Sequence, residues 1–171
     1  MIHPEIEAAL NAQINQELSA AHSYLGMAAH FDVLNLDGFS LWMSLQSDEE
    51  HEHAKRLFRY LLDRGGRVRL GAIHAPEVDT RDHVKLFETA LAQEQANTAS
   101  INQLYELATQ HHDHATKSHL QWFIDEQVEE EASIEEILGH LNLAGGDTAA
   151  LLYLNDKLGQ RKADEAAELA D

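Results

Sequence analysis

Apolar residues recur at alternating spacings of three and four along four long stretches of this chain, the period of one face of an α-helix. The faces read Leu10, Ile14, Glu17, Ala21, Tyr24, Ala28, Phe31; then Met43, Gln46, Glu50, His53, Leu57, Tyr60. They continue as Val84, Phe87, Leu91, Glu94, Thr98, Ile101, Tyr105, Ala108; and Leu120, Phe123, Gln127, Glu130, Ile134, Ile137, Leu141. No sustained alternating run interrupts this pattern, so the chain reads as all-α. Each seam breaks near its middle, and six polar residues, Glu17, Glu50, His53, Glu94, Gln127 and Glu130, occupy positions that belong to a bundle core. A carboxylate is seldom buried without a counter-charge or a metal, because desolvation costs several kcal/mol or more. Something cationic is expected among them.

Turn and cap signals divide the pattern. Pro4 suits the first helical turn, and the first helix runs to about Val33. Asn35-Leu36-Asp37-Gly38 is a short turn that makes the first two helices antiparallel neighbours. The second helix, about 27 residues long, stops at Gly65-Gly66. An irregular stretch with Gly71 and Pro76 then leads to Asp79 or Thr80 as caps of the third helix. The second helix is roughly 40 Å long, and the residues from Gly66 to Asp79 extend to roughly 46 Å, so this connection can run the full length of the bundle. That permits the second and third helices to be parallel, giving one long crossover instead of a simple up-and-down bundle. The third helix ends near His111, Asp113 caps the fourth, and Ala144-Gly145-Gly146 closes it. Residues 1–171 thus form a single domain: a four-helix bundle over about 4–144, a fifth helix over about 147–161 with Leu151, Leu152, Leu154 and Leu158, and a polar tail over 162–171.

Height decides whether the polar interruptions meet. Glu17 lies 19 residues before Leu36, while Glu50 and His53 lie 14 and 17 after it. Glu94 lies 17 residues before His111, with Gln127 and Glu130 16 and 19 after. At 1.5 Å per residue these offsets agree within roughly 8 Å, about the depth of one site. Glu50-x-x-His53 alone is weak, since this composition yields such a spacing roughly once by chance. Its place gives it meaning: an i,i+3 pair shares a helix face, so Glu50 and His53 can bind one ion together with Glu17. Glu94 and Glu130 can hold a second ion with Glu50 bridging, while Gln127 supplies an oxygen ligand or a hydrogen bond. Mostly carboxylate ligands with one imidazole suit iron or manganese, with zinc also accommodated; redox work requires iron or manganese.

Composition narrows the partners. With 30 acidic and 12 basic side chains, the formal charge of -18 argues against nucleic acid and for cation attraction. No stretch approaches a membrane span, and the start of the chain has no leader-like pattern. The absence of cysteine removes disulfides and thiolate metal sites. The cytoplasm is the expected location.

Over nearly its whole length the sequence resembles the bacterial non-haem ferritins. Position by position, the resemblance implies a first iron site at Glu17, Glu50 and His53 and a second around Glu50, Glu94 and Gln127. It also implies a tyrosine beside the centre at Tyr24, and a third iron site from Glu49, Glu126, Glu129 and Glu130. It further implies oxidation of Fe(II) by O2 or H2O2, and a hollow homo-oligomeric shell of 24 subunits that stores Fe(III) as mineral. Two departures separate the chain from bacterioferritin. That family has Glu-x-x-His in the fourth helix where this chain has Gln127 and Glu130, and a haem-ligating methionine where this chain has His51. No haem is therefore expected. The weaker second site favours release of oxidised iron over a resident cofactor.

Blander readings exist for each residue. A single buried polar group often only sets register, Tyr24 can be a core tyrosine bonded to a carboxylate, and Glu49, Glu126 and Glu129 can be a solvated face. His111, His112, His114 and His119 read as turn histidines, and Trp42 and Trp122 as packing anchors. The competing functions are a di-iron oxygenase or peroxidase of the same superfamily, a bacterioferritin-like protein, or a structural helical module that binds a partner.

Overall fold

In a computed structural model, residues 2–76, 78 and 82–160 are described. Their elements are α1 (Pro4–Val33), α2 (Asp37–Asp63), α3 (His83–Gln110), α4 (His114–Ala144) and α5 (Thr148–Leu158), and no strand occurs among the described residues. The expected caps Asp79 and Thr80 lie outside them, as does the tail from 162; Asp82 caps α3 by accepting from Lys85 N. Asp113 and Asp147 cap α4 and α5 as expected, and α5 ends earlier than its pattern indicated.

Cross-helix contacts establish the topology. Gln13, Tyr24 and Phe31 of α1 meet Asn97, Glu94 and Phe87 of α3, so these helices are antiparallel. Gln46, His53 and Tyr60 of α2 meet Glu130, Phe123 and Thr116 of α4, again antiparallel. Since α1 and α2 form a hairpin, with Ser40 and Ser47 donating to the carbonyls of Ala28 and Ala21, α2 and α3 run parallel. The connection therefore spans the bundle.

The sequence pattern does not reveal how that crossover is held. The side-chain amides of Asn11 and Asn15 donate to the Arg67 and Arg69 carbonyls, while their oxygens accept from the Arg69 and Gly71 amides. Four residues of helix rise about 6 Å and two of extended chain about 6.6 Å, so two asparagines at i,i+4 match alternate residues of the passing strap. Further along, Gly26 lets Pro76 approach so closely that a Cβ would stand 2.6 Å from the proline ring. At the other end of α1, the α2 N-terminus has no side-chain cap of its own. Asn155 of α5 supplies one, its oxygen accepting from the amides of Gly38 and Phe39.

Two apolar clusters fill the interior. One gathers Tyr24, Phe31, Phe39, Trp42, Phe87 and Ile134, and the buried α5 residues Leu154 and Leu158 close it. The other gathers Ile6, Leu10, Leu57, Leu61, Leu120 and Phe123. Between them lies a belt of buried polar side chains. The α3 seam departs from the sequence reading at alternate positions: Phe87, Glu94, Ile101 and Ala108 are buried as expected, but Ala90, Asn97 and Leu104 are buried in place of Leu91, Thr98 and Tyr105, which are only half-buried.

Candidate metal centre

Glu17, Glu50, Glu94 and Gln46 are fully buried, and His53, Asn97, Gln127 and Glu130 nearly so. The four helices bring all six polar seam residues to one level, as the matching heights require. Among them Glu17, Glu50 and His53 present three ligand atoms within 4.8 Å of one another, and a second such group joins His53, Glu126 and Glu130.

Their hydrogen bonds divide the belt. Glu17 is held on both oxygens, by Gln13 Nε2 at 2.8 Å and Asn97 Nδ2 at 2.9 Å. Glu94 accepts from the Tyr24 hydroxyl at 2.5 Å and from Gln127 Nε2 at 3.2 Å. Glu130 accepts from Gln46 Nε2 at 2.6 Å. Neither oxygen of Glu50 has a hydrogen-bond partner among the described residues, nor does His53 Nδ1, which lies 3.7 Å from Glu50. An unpaired buried polar atom costs about 1–3 kcal/mol, more when charged. An inward-facing carboxylate and imidazole left open together offer the donor atoms a metal ion can take.

The electrostatics agree. Burial pushes the Glu50 carboxyl well above the ordinary carboxylate range, and the negative Glu17 and Glu94 push it further. Burial also raises Glu94, opposed by the hydrogen bonds from Tyr24 and Gln127. The Tyr24 phenol is driven well above its usual range by burial and by Glu94. Burial lowers His53, leaving its imidazole neutral at neutral pH and able to donate a lone pair. A divalent cation relieves each of these penalties by replacing repulsion with coordination.

The outer residues are placed less uniformly. Glu126 is half-buried, its carboxyl raised by burial and by Glu129. Glu49 is half-buried and Glu129 exposed. Gln127 uses its amide nitrogen on Glu94 and Thr98 and its oxygen to accept from Asn97, so it acts here as a hydrogen-bonding group. His51 is exposed and donates from Nδ1 to the Ser47 carbonyl. Trp122 makes a T-shaped contact with His53 and carries Arg56 over its ring, and Trp42 packs on Tyr24 and Phe87. Of the turn histidines, His119 stacks on Tyr60, and burial takes its pKa to about 4, whereas His111 bonds Glu5 and stacks on His3. Gln13 and Asn97, which hold Glu17, were not among the sequence candidates.

A model of the ferritin-like domain matches residues 7–144, all of the four-helix bundle but its first three residues. The chain belongs to the ferritin family. The bacterial non-heme ferritin of Staphylococcus aureus (strain MRSA252) is 39% identical over 165 residues, covering 96% of this chain and 99% of that one. Its Staphylococcus epidermidis counterpart is 41% identical over the same shares. Among solved ferritins, the open pore ferritin of the archaeon Archaeoglobus fulgidus superposes with a TM-score of 0.92 at 43% identity, over 93% of this chain and 98% of that one. These ferritins match the chain through its fifth helix as well as its bundle. No helix among the described residues is long and apolar enough to cross a membrane.

Proposed function

We propose that this ferritin is an iron-oxidising storage subunit, acting on Fe(II) at the belt between the two apolar clusters. The observation that carries this reading is the open set at Glu50 and His53, two side chains buried without hydrogen-bond partners beside Glu17. Glu17, Glu50 and His53 take one ferrous ion. Glu50, Glu94 and Glu130 serve a second, with Gln127 orienting Glu94. Glu126, with Glu49 and Glu129 beside it, takes a third ion as it leaves. Carboxylates favour the ferric over the ferrous charge, lowering the cost of giving up an electron. Two ferrous ions each lose one electron, and dioxygen takes both with two protons to give hydrogen peroxide; with peroxide as oxidant the same two electrons yield water.

Within this reaction the protein positions and excludes. Gln13 and Asn97 fix both oxygens of Glu17, and Tyr24 fixes Glu94, so the ligands are set before iron arrives. The flanking apolar clusters keep bulk water from the belt. Iron then passes to the cavity of a shell of 24 subunits in the cytoplasm. Family membership supports that assembly, as does α5, whose Leu152 and Tyr153 remain exposed while Leu154 and Leu158 cover the bundle end.

The test is aerobic addition of Fe(II) to metal-free protein. Rapid ferric absorbance at two irons per chain, with a particle near the mass of a 24-subunit shell, is expected. Absorbance no faster than the protein-free control defeats the proposal, and turnover of an organic substrate by a monomer favours an oxygenase instead.

A further inference from the structure

We infer that the groove between α3 and α4 is the entry path of divalent cations to the centre, with Glu131 as its outer binding group and Gln127 as its gate; this rests on the metal-centre reading above. The groove encloses about 480 Å³, and Gln127, 2% exposed, lies at its floor. Its sides are the apolar Ile101, Ile124 and Val128, and Glu131 and Glu135 also line it.

A continuous series of side chains runs from the surface to a buried carboxylate. Thr98 Oγ1 donates to Glu131 Oε1 at 2.5 Å, Gln127 Nε2 lies 3.3 Å from Thr98 Oγ1, and the same nitrogen lies 3.2 Å from Glu94 Oε2. Each member carries an oxygen, the donor that hard divalent cations accept. Gln127 is neutral and holds Thr98 on one side and Glu94 on the other, so rotation of its amide exchanges an N–H for a C=O toward an arriving cation. The exchange also frees Glu94 Oε2, whose bond is to this amide, to meet the cation.

The groove on the other side of α4 has the opposite character. It encloses about 410 Å³ and is lined by Arg56, Arg59, Tyr60, His119, Trp122 and Glu52. It also reaches the centre, since Trp122 and Phe123 pack on His53. There Arg56 lies 3.9 Å from the centre of the Trp122 ring, presenting a fixed positive charge to any cation. Of two grooves beside the belt, the first carries Glu131 and Glu135 with no basic side chain in its lining, while in the second Glu52 faces both Arg56 and Arg59, so electrostatics favours the cation in the first.

Stopped-flow uptake of Co2+ by the intact metal-free protein, followed by release to a chelator, tests the path. Ala132→Trp, which fills the groove from an exposed position on its wall, should slow uptake and release alike by about tenfold, and Glu131→Gln should slow uptake severalfold. Stoichiometry and affinity should stay within about twofold of the parent protein, because neither residue belongs to the centre. Glu106→Gln, an exposed α3 carboxylate away from the groove, should leave the rate unchanged. Uptake unchanged in Ala132→Trp and Glu131→Gln overturns the path, as does equal slowing in Glu106→Gln. Affinity lost in step with rate also overturns it, making Glu131 a positioning group instead. The centre itself is checked separately: if Glu50→Ala leaves Co2+ uptake intact, the metal-centre reading has failed, not merely the route to it.

Discussion

The two halves of the buried belt use similar residues and solve opposite problems. In the half built by α1 and α2, Glu50 and His53 face inward with no hydrogen-bond partner among the described residues for either Glu50 oxygen or for His53 Nδ1. In the half built by α3 and α4, Glu94 is bonded by Tyr24 and Gln127, and Gln127 in turn bonds Thr98 and Asn97. The first half is open at Glu50 and His53, at a cost in folding free energy, although Glu17 beside them is bonded on both oxygens; in the second half Glu94 is closed by Tyr24 of α1 and by Gln127. A buried carboxylate therefore does not by itself mark a ligand. Free lone pairs single out Glu50, whereas Glu17, Glu94 and Glu130 already carry supporting hydrogen bonds.

The contrast predicts unequal responses. Glu50→Ala should produce the largest loss, lowering the initial rate of Fe(II) oxidation on the order of a hundredfold or more, because one change removes the group proposed to face both ions. Rapid-mixing absorbance measures it, and a variant within about threefold of the parent would erase the distinction between the halves.

Next in size, Asn97→Leu removes one of the two donors that set Glu17 and also frees the Gln127 oxygen. Metal affinity should fall about tenfold to a hundredfold, as is usual when a supporting hydrogen bond to a ligand is lost. Calorimetric titration with Co2+ reads this directly. Affinity unchanged from the parent would show that the helices alone, and not the amide network, hold Glu17.

A smaller effect, of opposite sign, belongs to the metal-free protein. Glu50→Gln removes a buried carboxyl that the metal-free fold must hold protonated, so the metal-free variant should be about 1–3 kcal/mol more stable to denaturant at neutral pH even as it loses oxidation activity. Its pH dependence follows from the raised pKa. The unfolded Glu50 releases its proton at a lower pH than the folded one, so stability contributed by the protonated form is lost as pH rises toward the folded pKa. The parent protein without metal should thus lose stability on going from mildly acidic to neutral pH, and Glu50→Gln should flatten that slope. Metal ion should restore stability in the parent and not in the variant.

Smallest, Tyr24→Phe deletes one hydrogen bond in the closed half and should cost about 1 kcal/mol of stability. Thermal unfolding of the metal-free protein measures it. Oxidation should continue, since the open half is untouched.

Much of this arrangement is legible in the residues before any coordinates. Pro4, the Asn35–Gly38 turn, Asp113 and the Gly145-Gly146 pair mark the helix ends because caps and turns are local chemistry. The seam interruptions at Glu17, Glu50, His53, Glu94, Gln127 and Glu130 stand out because a buried acid contradicts the pattern around it. Gln13 and Asn97 do not stand out. An amide beside a seam reads the same whether it points to solvent or to a carboxylate on another helix, and only the packing of α1 against α3 decides which. Asn11 and Asn15 were equally silent, since their partners are backbone groups more than fifty positions away.

By itself the sequence determined the all-helical class, the hairpin lengths and the common level of the acidic groups, because helix period and rise convert spacing into geometry without reference to other elements. Only the tertiary structure decided which lone pairs are satisfied, which amides serve the centre and which groove beside the belt is acidic. Those properties arise from pairings between distant helices, and no local rule of propensity, capping or periodicity records them.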